Sequence, residues 1–268
     1  MGRIDKALRQ ARHGKSKRPA VPITQAIEPQ HSIDFSALPV VVPEEDWLEK
    51  NRIVAALKDA PARTAYKVLR TRVLQRLRAS HFNVIGITGA GPGEGKSLTA
   101  INFAYSLAQD VNHNVVLLDL DLRRPSVHEY LGITPPRDLS DLLDGSAKLA
   151  DVLVCPNANR LSVVTCQSPI RDSSEVLSSP EMAGIMHQLK TLGQKTITVV
   201  DLPPVLASDD VIAFSPLVDA LVLVVAQGRC RREDLREAEE LLRESEILGV
   251  VLNRSREKSA AVGYYDHY

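Results

Sequence analysis

The sequence has no apolar run that approaches the roughly 20 residues needed to cross a bilayer, and its first residues lack the apolar core of a secretory signal. It has only three cysteines, Cys155, Cys166 and Cys230, and their odd number and wide spacing indicate reduced thiols. The histidines show no metal-ligand spacing either. We therefore expect a cytoplasmic protein without a disulfide framework or a zinc site.

The sequence also has no net charge, because 33 basic residues balance 33 acidic residues. This balance predicts no nucleic-acid partner and no membrane attraction from global charge. The first twenty residues are an exception, since they contain seven Lys or Arg and only one acidic residue. This segment either contacts acidic lipid or a partner, or is a solvated helix face that leads into a proline-rich linker; we favour the second interpretation.

Short β-branched runs alternate with helical patterns from residue 83 onward, which is typical of βαβ units. The runs span residues 83–88, 115–118, 196–200, 220–225 and 249–252. Because they are apolar without alternation, we expect strands covered on both faces. The predicted fold is α/β, with a mainly parallel sheet and helices on both faces. We predict a basic helix and linker in 1–43, one domain in 44–253 and a mobile tail in 254–268.

Helical spacing marks several segments between and before these runs. Residues 44–57 and 62–77 both show it, and the second segment has an apolar stripe. That stripe comprises Ala65, Leu69, Val73 and Leu77. Ser179 and Pro180 are typical of a helix start. The charged segment 231–244 has an ordinary buried stripe, so we interpret its charges as a solvated face.

The stretch "GAGPGEGKS" at residues 89–97 follows the first run and precedes a helical pattern. Glycines let the backbone curl around phosphate oxygens, Lys96 supplies a cation, and the Ser97 hydroxyl can bind Mg²⁺. Ala90 stands where the strict phosphate-loop pattern has glycine, so this is a variant P-loop. We predict ATP and Mg²⁺ as ligands. The predicted nucleotide-binding residues are Gly91, Pro92, Gly93, Glu94, Gly95, Lys96, Ser97, Leu98 and Asn253.

Carboxylates follow two further runs: Asp119 and Asp121 in "DLDLRRP", and Asp201 in "DLPP". Ligands of open parallel sheets bind beyond the carboxyl ends of the strands, where these side chains are expected to meet. Ser97, Asp119 and Asp201 are the predicted magnesium ligands, with Asp201 acting through water. An extra carboxylate near the γ-phosphate can orient an attacking hydroxyl. Arg123 and Arg124 either stabilise the transferred charge, clamp the loop, or form a structural ion pair.

These motifs together resemble the bacterial tyrosine kinases of capsule and exopolysaccharide loci, the CpsD/CapB type. "GPGEGKS", "VLLDLDLRRP" and "VVDLPP" correspond to that family's Walker A, Walker A-prime and Walker B motifs. The segments "RIDKALRQA" and "AYKVLRTRVLQRL" are similar to the exosortase-associated subgroup. The resemblance implies a P-loop NTPase fold of the MinD/ParA-like (SIMIBI) type. It also implies Asp121, Asp119 and Lys96 as catalytic residues, with Asp121 as the base for the tyrosine hydroxyl.

The family's docking motif, E-x-x-R-x-x-R, is replaced here by Thr64, Lys67 and Arg70, which puts ring assembly in doubt. Half of the six tyrosines lie in the last five residues, "YYDHY". Unstructured tails usually contain few aromatic residues, so this cluster indicates a function. Tyr264, Tyr265 and Tyr268 are the predicted phosphoacceptors.

The resemblance implies an ATP-dependent protein-tyrosine autokinase, a transferase that phosphorylates its tail in trans and regulates exopolysaccharide polymerisation or export. Implied partners are a transmembrane chain-length activator, other copies of the chain and a tyrosine phosphatase; recruitment to the inner face of the plasma membrane would depend on the activator. Two alternatives remain, a MinD/ParA-like switch ATPase and a non-enzymatic nucleotide-sensing scaffold. The switch ATPases have a signature lysine where this chain has Gly91.

Overall fold

A computed structural model describes residues 33–57, 62–156, 160–193 and 195–255. Within these residues six parallel strands form one sheet in the order β3-β2-β4-β1-β5-β6. The strands are β1 (Val84–Gly89), β2 (Asn114–Asp119), β3 (Leu161–Val164), β4 (Thr196–Asp201), β5 (Ala220–Ala226) and β6 (Ile247–Asn253). The strand that precedes the glycine-rich loop is therefore internal to the sheet, with the carboxylate-bearing strands on one side of it.

The α-helices cover both faces of the sheet. They are α1 (Glu45–Lys50), α2 (Arg63–Ser80), α3 (Lys96–Leu107), α4 (Val127–Leu131), α5 (Leu139–Leu143), α6 (Leu149–Val152), α7 (Ser173–Leu177), α8 (Pro180–Thr191), α9 (Asp210–Phe214) and α10 (Arg232–Leu241). One apolar core unites α1–α4 with one face of the sheet, and a second core unites α5–α10 with the other. The predicted α/β fold with a parallel sheet between two helical layers is confirmed.

Strand β6 departs from the expectation that every strand is covered on both faces. It lies at the edge of the sheet, and Val250 and Leu252 are 52% and 56% exposed. Edge position alone does not explain this exposure, because the other edge strand, β3, is buried throughout. The expectation was wrong for this strand because an apolar run does not indicate whether helices cover both of its faces.

Three local predictions differ in outcome. The helix predicted in 44–57 ends at Lys50, and the chain continues in turns. In α2 the predicted stripe is buried at Val73 and Leu77, whereas Ala65 is exposed. The start of α8 is confirmed, since the Met182 N–H donates to Ser179 Oγ at 3.1 Å. Strand β3 was missed because Ser162 interrupts its short apolar run.

Residues 33–43 contact the α/β body. Leu38 is buried in the core, and the Val41 N–H donates to the Cys155 carbonyl at 2.9 Å. The predicted boundary at residue 43 stays a prediction, although the end of the predicted linker packs against this body. The basic segment and the tail tyrosines lie outside the described residues. Among the helices that the structure describes, none is long and apolar enough to span a membrane.

Candidate active site

The glycine-rich loop connects β1 to α3 in the predicted order of strand, loop and helix. Helix α3 begins at Lys96, directly after Gly95. Gly93 and Gly95 have φ angles of +74° and +89°, a region that side chains with a Cβ rarely enter. Backbone N–H groups at the start of a helix are free to bind anions, so the loop has the conformation of a phosphate cradle.

Side chains from the β5–β6 end of the sheet hold the loop in place. Asn253 Nδ2 donates to the Glu94 carbonyl at 2.8 Å, and a Cβ at Gly95 would collide with that amide. Arg229 and Arg254 both donate to the Gly93 carbonyl, at 3.2 and 3.1 Å. These contacts fix the loop from the side opposite the carboxylates.

The side chains of Glu94 and Asn253, two of the predicted nucleotide-binding residues, lie behind the loop and not in the cleft. The Glu94 side chain is 2% exposed and turned under the loop, where Cys230 lies beside it. Burial, together with this carboxylate, raises the pKa of the Cys230 thiol to about 11. Asn253 uses its amide nitrogen on the loop, and its Oδ1 accepts from the Arg254 N–H at 2.8 Å. The geometry therefore favours indirect roles for both side chains, which shape the loop instead of lining the cleft.

Asp119 and Asp201 lie side by side at the ends of β2 and β4, which are paired in register at these residues. Both are fully buried. Asp119 Oδ2 accepts from the backbone N–H groups of Ser126 and Val127, each at 3.0 Å. Asp119 Oδ1 and both oxygens of Asp201 have no hydrogen-bond partner among the described residues. These carboxylates therefore have free acceptor oxygens.

The buried carboxylates have perturbed pKa values. Burial raises the pKa of Asp201 to about 7, against the opposing effects of Ser97 and Lys96. Burial and the neighbouring Asp201 raise the pKa of Asp119 well above its usual value. The pKa of Asp121 is also raised by burial, an effect that the Lys96 ammonium opposes. A carboxylate with a raised pKa is a better proton acceptor near neutral pH.

The orphaned oxygens suit a divalent cation. Protein-bound Mg²⁺ commonly uses one or two carboxylates and completes its shell with water and substrate phosphate. Asp119 and Asp201 have such oxygens, and the Ser97 hydroxyl lies close to Asp201. The described residues contain no cluster of three or more His, Cys, Asp or Glu that could hold a metal ion by itself. The donor set therefore fits a cation that arrives with a nucleotide.

A cleft of about 710 Å³ opens above the loop. The predicted residues that line it are Pro92, Gly93, Gly95, Lys96, Ser97, Leu98 and Asp121. Gly91, Glu94, Asp119, Asp201 and Asn253 do not line it. Several cleft residues were not predicted from the sequence, among them Trp47, Asn51, Tyr130 and the prolines that follow β4. The one available signal was that Trp47 is the only tryptophan in the chain.

The two arginines after β2 have different environments. Arg123 Nε donates to Ser173 Oγ at 2.9 Å and pairs with Asp210 Oδ2 at 3.2 Å. Because Asp210 is fully buried, this contact favours the structural interpretation of Arg123. Arg123 and Arg124 both line the cleft, but Arg124 is the one that lowers the pKa of Asp121. This difference favours Arg124 over Arg123 for a role beside the transferred charge.

The positions of the family's docking motif lie on α2. Arg70 Nη1 donates to the Ser106 carbonyl of α3 at 2.8 Å, so this guanidinium already binds within the chain. Lys67 is exposed, and Thr64 is half-buried. A contact to another copy through this helix would lack both the acidic residue and one arginine of the motif.

The fold and the P-loop define the class of protein. Residues 81–264, more than half of the chain, match the ParA family, described as NUBPL iron-transfer P-loop NTPase. The septum site-determining protein MinD of Pyrococcus horikoshii, solved with Mg-ADP, has the same fold, with a TM-score of 0.56 and 20% identity. That match covers 66% of this chain and 72% of the MinD chain. The chain is therefore a ParA-type P-loop protein.

Closer relatives define the family within that class. Tyrosine-protein kinase YwqD of Bacillus subtilis is 30% identical over 203 residues, which are 75% of this chain and 84% of YwqD. The succinoglycan biosynthesis transport protein ExoP of Rhizobium meliloti is 31% identical over 220 residues, but the match spans only 28% of ExoP. The chain belongs to the bacterial tyrosine-protein kinases, as its motifs predicted.

Solved structures agree with this assignment. The chimerical protein CapA2B2 has a TM-score of 0.71 and 26% identity, over 83% of this chain and 96% of that chain. The VpsO kinase domain has a TM-score of 0.65 and 30% identity, over 73% of this chain and 96% of that chain. The exosortase-associated subgroup stays a prediction.

Proposed function

We propose that this chain is an ATP-dependent protein-tyrosine autokinase that phosphorylates Tyr264, Tyr265 and Tyr268 in trans. One observation carries the proposal: Asp121, a carboxylate with a raised pKa, lines the same cleft as Lys96 and Ser97 of the P-loop. A plain nucleotide cradle needs no proton acceptor beside the transferred phosphate. A kinase requires one wherever a hydroxyl attacks.

The residues then divide the work of phosphoryl transfer. Backbone N–H groups of the loop and the Lys96 ammonium bind the phosphates, while Asp119 and Asp201 supply oxygens for Mg²⁺. When bound, Mg²⁺ neutralises phosphate charge. The tyrosine oxygen forms a bond to the γ-phosphorus, the bond from that phosphorus to the bridging oxygen breaks, and ADP leaves. Asp121 accepts the phenol proton.

Transfer in trans is consistent with where the tail begins. It leaves the sheet after β6, and the strand order places four strand spacings between β6 and β2. At roughly 4.8 Å each, this separation is about 19 Å. An extended tail of 15 residues can span that distance, so it can reach the carboxylates of its own chain or of a neighbouring copy, and the mixing experiment distinguishes the two.

The cellular role that we propose is regulation of exopolysaccharide polymerisation or export. Its support is the similarity to ExoP, a succinoglycan biosynthesis transport protein. We propose that a transmembrane activator recruits the chain to the inner face of the plasma membrane, and that a tyrosine phosphatase reverses the modification. Phosphates on the tail would each add about −1.5 to −2 charges, which would repel the tail from the carboxylates and loosen the assembly.

A mixing experiment tests this function. A full-length Lys96→Ala chain serves as the acceptor, and a full-length chain with the three tail tyrosines replaced by Phe serves as the enzyme. With ATP and Mg²⁺, mass spectrometry should find phosphate on the tail tyrosines of the acceptor. Consumption of ATP without phosphotyrosine would favour the switch ATPase, and nucleotide binding without turnover would favour the scaffold.

A further inference from the structure

The cleft has an aromatic wall, formed by Trp47 of α1 and Tyr130 of α4, which the phosphate-binding elements do not explain. Both side chains line the same cleft as Lys96 and Asp121. Trp47 is 39% exposed, a large apolar surface for a side chain beside a polar site. The wall comes from outside the P-loop and outside the strand ends.

Contacts with α4 and its C-terminal turn hold the Trp47 ring in position. Its Nε1 donates to the Glu129 carbonyl at 3.0 Å. The ring lies so close to Gly132 that a Cβ there would come within 2.8 Å of Trp47 Cδ1. The Lys50 ammonium lies 5.2 Å from the ring centroid. With its edge bonded, the ring presents a fixed surface to the cleft.

The same wall is anchored to the buried carboxylates. Asp119 Oδ2 accepts the N–H groups of Ser126 and Val127, the residues at which α4 begins. Tyr130 follows within that helix. The backbone at Tyr130 therefore has a set position relative to the end of β2, and the Tyr130 side chain packs against the apolar core.

The side of the loop on which the wall lies indicates which ligand it meets. Lys96 and the carboxylates after β2 and β4 mark the end of the site where the γ-phosphate of the nucleotide is expected to lie before transfer. The wall shares the cleft with Asp121, whereas Asn253, Arg229 and Arg254 hold the loop from the β5–β6 side. A group that lies beyond the transferred phosphate on the Asp121 side is the acceptor.

We propose that Trp47 and Tyr130 form the acceptor subsite, which holds the phenol ring of a tyrosine side chain with its hydroxyl toward Asp121. The inference rests on the proposed function and adds the residues that select the acceptor. Offset or edge-to-face contact between aromatic rings favours an aromatic substrate over an aliphatic one. Serine and threonine lack both the ring and the length to use this wall, so the subsite accounts for selection of tyrosine.

Kinetics with matched variants test the subsite. The acceptor is a synthetic peptide with the sequence of residues 254–268, and the enzymes are full-length Trp47→Leu and Tyr130→Leu. Each leucine keeps an apolar side chain but removes the aromatic face, so the KM for the peptide should rise about 3- to 10-fold. The affinity for a fluorescent ATP analogue should stay within about twofold of the original chain.

Three further variants separate the subsite from a packing role. Trp47→Phe and Tyr130→Phe restore aromatic rings and should recover most of the affinity for peptide. Leu241→Ala changes an apolar side chain that is 43% exposed and does not line the cleft, and should leave both constants unchanged. Circular dichroism melts identify any variant that does not fold. If one of the two leucine variants fails this check, the other leucine variant provides the test.

Because Trp47 is the only tryptophan in the chain, its fluorescence reports on the wall directly. Excitation at the red edge of the tryptophan band avoids the tyrosines of the peptide. The peptide should change this emission in a saturable way. The same peptide with its three tyrosines replaced by Leu should not. A response to ATP alone, with none to the peptide, would identify a base-binding wall and overturn the proposal.

Failure of the subsite and failure of the proposed function give different results. If the original chain phosphorylates the peptide and both folded leucine variants keep its KM, the subsite is wrong and the kinase stands. A weaker affinity for the ATP analogue in both leucine variants, with the KM for peptide unchanged, also overturns the subsite. If the original chain forms no phosphotyrosine, the result contradicts the proposed kinase function and, with it, the acceptor subsite.

Discussion

Asp201 provides the sharpest test of the site, because its buried carboxylate should lower the stability of the fold and yet be required for Mg²⁺-dependent activity. The side chain is fully buried, and neither oxygen has a hydrogen-bond partner among the described residues. Ser97 and Lys96 offset the burial of this carboxylate only in part, so its ionised form costs free energy. Proteins retain such a group where a ligand uses it. Replacing Asp201 with Asn should therefore stabilise the nucleotide-free chain and abolish its Mg²⁺-dependent activity.

The pKa shift sets the size of the effect. A rise from 3.8 to about 7 corresponds to about 4 kcal/mol of lost stability once the carboxyl ionises. An Asn amide that is buried and incompletely hydrogen-bonded costs about 1 to 3 kcal/mol. The net gain for Asp201→Asn is then about 1 to 3 kcal/mol, or roughly 2 to 12 °C in Tm for a domain of this size.

The sign of the pH dependence follows from the same shift. Between pH 3.8 and about 7 the folded chain binds the proton more tightly than the unfolded chain does. The contribution of protonated Asp201 to the free energy of unfolding is therefore fully present below pH 3.8 and is lost as the pH rises from 3.8 to about 7. The advantage of Asp201→Asn should be complete at pH 8 and much smaller at pH 5.

Thermal melts at both pH values, with and without ATP and Mg²⁺, measure these effects. Asp210→Asn is the matched control, because Asp210 is equally buried but paired with Arg123 and Ser173, and its loss should lower Tm. Adding nucleotide and Mg²⁺ should raise the Tm of the original chain more than that of Asp201→Asn. A lower Tm for Asp201→Asn at pH 8, or an equal gain at both pH values, would refute the reasoning.

Further predictions concern the loop, the base and assembly. Lys96→Ala should lose ATP binding and turnover while keeping its circular dichroism spectrum; normal turnover in a folded variant would contradict the P-loop assignment. Asp121→Asn should still bind the ATP analogue but transfer phosphate to tyrosine about 10² to 10⁴ times more slowly, and unchanged transfer would show that another group is the base. Because Thr64 and Lys67 replace a docking Glu and Arg, analytical ultracentrifugation should show self-association weaker than a stable ring; a concentration-independent octamer would disagree. Asn253→Ala should cost about 0.5 to 1.5 kcal/mol of stability and weaken ATP binding, since the loop loses one hydrogen bond; unchanged affinity would assign the amide no part in shaping the loop.

The chain's sequence determines the parts of the site whose geometry is local. Gly93 and Gly95 mark left-handed turns, because a residue without a Cβ takes positive φ at little cost. Lys96 and Ser97 follow at the start of the helix, within the same few residues. The apolar runs also define most strands, and the ends of parallel strands meet at one edge, so the convergence of Asp119 and Asp201 was predictable.

Only the tertiary structure decided how distant segments complete that site. Trp47 reaches the cleft through a hydrogen bond to Glu129, 82 residues away, and Arg123 pairs with Asp210, 87 residues away. Asn253, which the sequence predicts to bind nucleotide, also donates to the Glu94 carbonyl of the loop, 159 residues away. Sequence patterns record which residues are buried and which dihedral angles they adopt, whereas a contact across the fold depends on the order of the strands and the packing of helices on them. The sequence therefore determined the phosphate cradle, and tertiary packing decided the wall that faces it.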